Sequence, residues 1–366
     1  MIEQTKKLGI KEIARRAGVS IGTVDRVLHN RGEVKKETHD KIIQIINELG
    51  YTPNPLAQAL SLRKTANIAI IIPNSSDNNP YWQKPVEGIA IAQKELSAYN
   101  VTFNTFYFNA TKQESFISAI NQVIKAAPDG VLICPAFKNP AIQFFAQLDA
   151  VNIPYVFVDI NINDTNSIGY FGQDAFQSGV IAAKLMCQNI DFNSTIIIVK
   201  QSAHKIFSDH IESRINGFCS VLDTYSICAK IVEIDLSYEY EPQNTMQQYF
   251  ISKKLNIFVP NSRAFVLADL IEKLGVNYCN IIGYDLIDEN VKHLKNGTIN
   301  YLLNQRPDEQ SYKAIMRLFN YVLGRKATEQ KNNFSPIDII IKENVDYYRK
   351  SLMDKSLYTN TNNSIL

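Results

Sequence analysis

The chain has 366 residues, of which 45% are hydrophobic, 20% charged and 10% aromatic. It is long enough for two or three packed cores, too apolar for wholesale disorder, and lacks the run of about 18 uncharged apolar residues that crosses a bilayer. The net charge of +2 conceals an asymmetry: residues 1–65 hold 12 Lys/Arg against 7 Asp/Glu, a net of +5 that leaves the remainder at −3, which points to an anionic partner for the head alone.

In chain order, Met1–Lys7 lacks the apolar core of a secretory signal, so a cytoplasmic protein is expected. Residues 8–50 read as three short helices. Ile10, Ile13, Ala14 and Ala17 fall at i, i+3, i+4, i+7 and define the first. Gly18 supplies its stop and Ser20 the cap of the second, Ile21 to Leu28, whose apolar face is Val24, Val27 and Leu28. The third runs to about Leu49, with Ile42, Ile45, Ile46 and Leu49 inside and Gly50 as its end. Two short helices joined through Ala17-Gly18-Val19-Ser20 form a helix-turn-helix pattern, whose second helix enters the major groove of DNA. Arg26 is the best base reader there, because its fork matches guanine O6 and N7. Ser20 and Thr23 offer hydroxyls to phosphates, and Ile21 an apolar contact to a thymine methyl. Asp25 is repelled near phosphates. A three-helix module that binds protein fits the local pattern as well.

Tyr51–Pro55 is a stiff connector, and Leu56–Leu60 is too short to be a stable isolated helix in water. From Ala66 the pattern changes. Apolar runs recur at 68–72, 130–134, 154–159, 195–199, 256–259, 280–283, 300–303 and 337–341, separated by stretches of helical periodicity such as Val86–Tyr99 and Gln177–Asn189. Buried strands alternating with helices predict a doubly wound α/β architecture with parallel sheets, and about ten strands suit two lobes better than one core. The polar tail after Arg349 has no leucine heptad and is expected to fray. The five scattered cysteines contain no C-x-x-C, and the five histidines show no metal-ligand spacing. No disulfide frame, metal or cofactor is expected.

The segments Ile10–Ser20, Thr23–Leu28, Leu49–Pro55 and Leu56–Leu60 resemble the LacI family of bacterial transcription regulators, over about residues 8–350. That resemblance implies that Leu56–Leu60 begins a hinge helix formed on operator DNA. Leu60 would be levered into the minor groove and Ala57 set against its floor, an apolar wedge of the kind that kinks a duplex. The expected DNA contacts are therefore Ser20, Ile21, Thr23, Arg26, Asn54, Ala57 and Leu60; the alternative for Leu56 and Leu60 is docking on the body. Gly22 stands where many relatives carry a base-reading side chain, Asp25 replaces a small polar residue, and Lys35 occupies the usual cap of the third helix.

The body resembles the type I periplasmic-binding fold, ribose-binding branch, through Asn79–Gln83, Pro154–Asp159, Gly172–Gly179, Arg214–Phe218, Asn261, Gly283–Asp285 and Asn304-Gln305. All but Arg214, which falls in a predicted helix, follow predicted strands, where doubly wound sheets bind ligands. The resemblance carries effector contacts to Asn79, Tyr81, Trp82, Asp159, Arg214, Asn261, Asp285 and Gln305. The chemistry suits a sugar or polyol. Asp159 and Asp285 accept from hydroxyls, Arg214, Asn261, Gln305 and Asn79 donate, and Tyr81 and Trp82 cover the apolar ring face. Strand-end capping for the aspartates, core packing for Trp82 and an interlobe brace for Gln305 are the structural alternatives. Ile160 stands where sugar binders often carry a second arginine.

Three crossovers, near 170–172, 303–305 and 334–336, are expected from the resemblance. They divide the chain into a head, 1–50, a hinge segment, 51–65, a two-lobed effector and dimerisation domain, 66–350, and a tail, 351–366. Lobe 1 would hold 66–171 and 306–333, and lobe 2 172–304 and 334–350. The expected protein is a homodimeric, effector-controlled regulator of operator DNA, most often a repressor in this family, with no membrane role and no enzymatic activity. A solute receptor without a DNA role and a sugar-modifying enzyme are the alternatives. Against the enzyme, the chain has no G-x-S-x-G, P-loop or G-x-G-x-x-G.

Overall fold

Helical spacing in the first fifty residues and β-branched runs beyond them produce two unlike units. The computed structural model describes residues 10–28, 34–49, 65–75, 80–188, 195–201, 209–227, 229–234, 255–276, 279–324 and 330–353. The chain separates into Met1–Lys64 and Thr65–Leu366. Asn54, Ala57, Leu60 and Asn79 lie outside the described residues, as do the connector 51–64 and the tail beyond 353.

The first unit contains α1 (Ile10–Ala17), α2 (Ile21–Leu28) and α3 (Lys36–Leu49). Ile13, Ala14, Ala17, Val24, Val27, Ile42 and Ile45 form its core. Leu28, Ile46 and Leu49, expected inside, are only partly buried, because they rim that core rather than fill it. α1 ends in a Schellman motif: the Val19 amide donates to the Ala14 carbonyl at 3.0 Å and the Gly18 amide to that of Arg15 at 3.3 Å. Gly18 has φ +71°, and an added Cβ would meet nothing within 4 Å. The backbone angle, not space, requires the glycine there. α3 begins beyond Lys35, whose carbonyl accepts from the Thr38 and His39 amides.

The second unit holds two six-stranded sheets. The first uses β1 (Ala66–Pro73), β2 (Val101–Phe108), β3 (Gly130–Ile133), β4 (Tyr155–Val158), β5 (Gly169–Gln173) and β11 (Asn332–Ser335), all parallel, in the order β11-β5-β4-β3-β1-β2. The second uses β6 (Thr195–Gln201), β7 (Ala229–Ile234), β8 (Leu255–Phe258), β9 (Cys279–Tyr284), β10 (Tyr301–Asn304) and β12 (Asp338–Ile340), in the order β12-β10-β9-β8-β6-β7. Only β12 pairs antiparallel there. Between the strands run α4 (Gln83–Glu95), α5 (Gln113–Ala126), α6 (Lys138–Ala150), α7 (Ala175–Cys187), α8 (Asp209–Thr224), α9 (Ala264–Lys273), α10 (Asp288–Asn296), α11 (Pro307–Val322) and α12 (Val345–Met353).

The second sheet shows why its strands read as unbroken apolar runs. Successive side chains point to opposite faces, and both faces are covered. Ile197, Val199, Ile257 and Ile281 pack with Leu267, Ile271 and Leu294 of α9 and α10. Ile196, Ile198, Phe258 and Ile282 pack with Ala182, Met186, Phe218 and Leu222 of α7 and α8. A strand buried on both faces has no polar alternation to display. Among the described residues no helix is long and apolar enough to cross a membrane.

The chain passes between sheets after β5, after β10 and between β11 and β12. Gly172 and Gln173 pair with Phe334 and Ser335 in the first sheet, so β5 and β11 run about two residues past the expected lobe boundaries at 172 and 334. Parallel pairing continues to the crossing itself. β2, β5, β7 and β11 were not among the expected runs. α4 starts at Gln83 and passes into a 3₁₀ turn at Leu96–Ala98, and α7 spans 175–187 because Asp174 caps it, accepting from the Gln177 amide at 2.9 Å. α12 continues past Arg349 to Met353, into what was expected to be frayed tail.

Candidate functional site

On the head, α2 turns Val24 and Val27 inward and leaves Ile21, Gly22 and Arg26 exposed. Ile21 is 45% exposed, an apolar side chain with no core to join. Arg26 lies one turn beyond Gly22 on the same helix face, as a groove reader requires. Ser20 is exposed, but its hydroxyl is committed locally. Oγ accepts from the Thr23 amide at 3.1 Å and shares a hydrogen bond with Thr23 Oγ1 at 2.9 Å. Both hydroxyls expected at phosphates thus serve first to start α2. Glu12, bound by Arg15 and Arg16, is held down to about 2 by those hydrogen bonds.

In the second unit the expected acids are built alike. Asp159 directly follows β4 and has φ +68°, with its amide donating to the Phe171 carbonyl at 3.1 Å. Asp285 directly follows β9 and has φ +67°, with its amide donating to the Leu303 carbonyl at 3.0 Å. In each case one left-handed residue keeps the ladder bond to the next strand while redirecting the chain at the carboxyl end of a sheet. Aspartate is among the few side chains that adopt this angle readily.

The surrounding groups connect the two ends. Tyr81 and Trp82 sit in a 3₁₀ turn, Pro80–Trp82, after β1. The Tyr81 hydroxyl donates to Asp159 Oδ1 at 2.6 Å, and the Tyr170 hydroxyl donates to the Asp159 carbonyl at 3.1 Å. Gln305, just past β10, donates from Nε2 to both Asp285 oxygens at 3.0 and 3.1 Å, while its Oε1 accepts from Arg214 at 2.5 Å. Arg214, on α8, is 3% exposed. Its other terminal nitrogen donates to the Pro260 carbonyl at 2.9 Å, and its guanidinium lies 3.9 Å from the Tyr284 ring centroid. The Tyr284 hydroxyl shares a hydrogen bond with Ser178 at 2.9 Å. Arg214 Nε is buried with no partner among the described residues, as is Nδ1 of His210 one turn before it. A cavity of about 510 Å³ opens at Tyr81 and Asp285, bordered also by Lys84, Leu286, Ile287 and Asn304. That volume lies within the roughly 300–1,000 Å³ of small-molecule pockets.

Burial dominates the electrostatics. It pushes Asp285 up to about 7 against the lowering effects of Arg214 and Gln305, and Asp159 adds to the rise. Burial also raises Asp159, opposed by the Tyr81 hydrogen bond and Arg214. His210 is driven down to about 3 by burial and Arg214, so it is neutral.

Two expected residues have other local roles. Asn261 Oδ1 accepts from the Arg263 amide at 2.9 Å, shaping the turn before α9. Trp82 is 5% exposed and meets Tyr81 edge-on at 5.3 Å, so it supports Tyr81 more than it offers a face. Tyr170, Tyr284, Ser178 and the Pro260 carbonyl were missed. Tyr284 lies within the Gly283–Asp285 segment, which is the one signal that pointed to it. A further cluster, Asp269, Glu272 and His293, has metal-ligating atoms within 4.8 Å. The His293 ring nitrogens already sit 2.9 Å from Asp269 Oδ1 and from Glu272 Oε1, so the trio pins α9 to α10.

Comparison with known proteins agrees with both units. The periplasmic binding protein domain family matches residues 68–326, and the lacI family of bacterial regulatory proteins matches residues 9–54. The transcriptional regulator DegA of Bacillus subtilis is 34% identical over 36% of this chain and 38% of its own length. The match thus spans well under two thirds of that relative. The transcriptional repressor PurR of Actinobacillus pleuropneumoniae is 25% identical over 76% of this chain and 81% of its own. A crystal structure of a candidate LacI transcriptional regulator from Bacteroides fragilis superposes with a TM-score of 0.70 at 28% identity, covering 78% of this chain and all of that one.

Proposed function

Because the chain belongs to the periplasmic binding protein domain family and carries a lacI-family head, we propose that it is a cytoplasmic, homodimeric transcription regulator, acting as a repressor, whose grip on operator DNA is set by a sugar or polyol held between its lobes. The single observation that carries this reading is the hydrogen-bonded set Tyr81–Asp159 and Asp285–Gln305–Arg214, fixed at the carboxyl ends of both sheets of a chain that also bears an exposed Ile21–Arg26 helix face. Hydroxyl groups need acceptors and donors at fixed positions, and the two aspartates, the guanidinium and the glutamine amide supply both.

Ile21 and Arg26 read base edges in the major groove, while Ser20 and Thr23 start α2 and approach the phosphates. Asn54, Ala57 and Leu60 act in the connector, and Asn79, Trp82 and Asn261 complete the effector contacts. The domain limits follow the head, connector and two-lobed body. A two-fold homodimer implies a near-palindromic operator. The effector changes DNA affinity only through its differential affinity for two lobe arrangements.

Two assays test this. Duplexes selected from a random pool by the full chain should bind with strong salt sensitivity. A panel of pentoses, hexoses, polyols and sugar acids should include a member that raises the thermal stability of the full chain. The absence of salt-sensitive binding to any duplex contradicts the regulator, and stabilisation by none of the panel contradicts the polyol.

A further inference from the structure

Among the described residues, the hydrogen-bonded set of Asp159, Asp285, Gln305 and Arg214 carries more acids than cations. Asp159 and Asp285 both lie at strand ends, Asp285 bordering the cavity and Asp159 joined to it through the Tyr81 hydroxyl, and no described Lys or Arg forms an ion pair with either carboxylate. The hydrogen bonds found at these carboxylates come from neutral donors, the Tyr81 hydroxyl and the Gln305 amide. The guanidinium of Arg214, the one cation bonded into this set, points its hydrogen bonds elsewhere, at Gln305 Oε1 and the Pro260 carbonyl, with Tyr284 beneath it. The residue beside Asp159 is Ile160, 3% exposed, which supplies no charge. Of the cations bordering the cavity, Lys84 bonds Glu87 and Arg349 bonds Asp288, each at 2.8 Å, and Lys94 is exposed to solvent. The set therefore holds two carboxyl groups against one guanidinium, and burial, which pushes Asp285 up to about 7, marks a place where two unopposed charges are costly.

A ligand can bring the missing cation. We propose that the effector is an amine-bearing polyol, an amino sugar or amino cyclitol, whose ammonium seats on Asp159 beside Tyr81 while its hydroxyls engage Asp285, Gln305 and Arg214. This rests on the polyol reading above and narrows it. A hydroxyl on a carboxylate already makes a charge-assisted hydrogen bond, and an ammonium adds the attraction of two opposite charges in a buried site. It also attenuates the repulsion between Asp159 and Asp285. Tyr81 remains a neutral donor to the same carboxylate, so Asp159 can accept from both.

The experiment uses matched pairs with the full-length chain at fixed salt: D-glucosamine with D-glucose, D-galactosamine with D-galactose and D-mannosamine with D-mannose, each also against the N-acetylated form, with affinity read by calorimetry. In the pair whose hydroxyl pattern fits, the amine should bind at least about tenfold more tightly than its parent sugar, because only the ammonium adds an opposite charge at the carboxylate, and the N-acetyl form should show no such gain. Asp159→Asn should bring that ratio to about one. The inference is overturned if the neutral parent binds as well as or better than the amine, or if the amine keeps its advantage in Asp159→Asn. If the chain binds none of the amines and none of the parent sugars, calorimetry with neutral pentoses and alditols decides. Binding there keeps the polyol reading and overturns the amine; no binding there overturns both.

Discussion

Replacing Asp285 by Asn keeps the shape of the strand-end turn and removes only the charge. Asn tolerates the φ of +67°, and Gln305 Nε2, at 3.0 Å from Oδ1, still finds an acceptor. The wild-type carboxyl moves from 3.8 to about 7 on folding, with burial as the leading cause. A raised carboxyl has its full stability contribution below its unfolded value and loses it as pH climbs through the folded one. At 1.36 kcal/mol per pH unit, the penalty above pH 7 is on the order of 4 kcal/mol, as an upper figure. The Asn variant titrates in neither state. Its stability advantage over wild type should therefore grow between pH 5 and pH 7, by up to about 1.4 kcal/mol per pH unit, and level off above. At roughly 2 °C per kcal/mol for a large domain, the unliganded variant should melt several degrees higher at pH 8, up to on the order of 8 °C. Thermal scans of both proteins at pH 5, 6, 7 and 8 measure this, and reading the difference cancels other titrating groups. A difference that stays flat with pH, or a variant less stable at pH 8, refutes the burial argument. The same substitution should weaken effector binding, so stability and function move in opposite directions.

Arg26→Ala should cost about 1–3 kcal/mol on a selected duplex; anisotropy titrations at fixed salt check it, and unchanged affinity would remove Arg26 as a base reader. Ser20→Ala removes the cap that receives the Thr23 amide and should destabilise the head by about 1 kcal/mol, seen as earlier loss of helical circular dichroism. His293→Ala strips Asp269 and Glu272 of the buried ring between them and opens a void between α9 and α10. A loss of roughly 2 kcal/mol or more is expected in denaturant unfolding, without change in the duplex sequence selected.

Much of this fold is readable where a local rule decides. Gly18 and Ser20 end one helix and start the next by backbone angle and cap, so the head could be drawn from adjacent residues. β1, β3, β4 and β8 to β10 are apolar runs because both of their faces are covered. β2 escaped detection because it is a sheet edge, with exposed Thr102 and Asn104 interrupting its aromatic residues. β11, Asn332–Ser335, is polar for the same reason, and β5 contains two glycines. At Gly172 an added Cβ would lie 1.9 Å from the hydroxyl of Tyr170, two residues earlier on the same face of β5, because that ring folds back over the glycine.

The candidate site divides in the same way. Asp159, Asp285 and Gln305 follow strands, where doubly wound sheets bind ligands, so their placement was foreseeable. Their partners were not. Arg214 reaches a carbonyl 46 residues away and a glutamine 91 residues away, and Tyr170 reaches the Asp159 backbone rather than its side chain. Ser20 and Asn261 show the reverse: residue types suited to binding that also serve as a cap and a turn, because short polar side chains bond nearby backbone readily.

The most direct test of the whole account is the affinity of the full-length chain for a selected duplex, measured by anisotropy at one salt concentration with and without a saturating cleft ligand. Wild type should change affinity by a factor of about 5–150, and Asp285→Asn should bind the duplex normally yet show no ligand response. Equal affinity with and without bound ligand in wild type would contradict control of the head by the cleft.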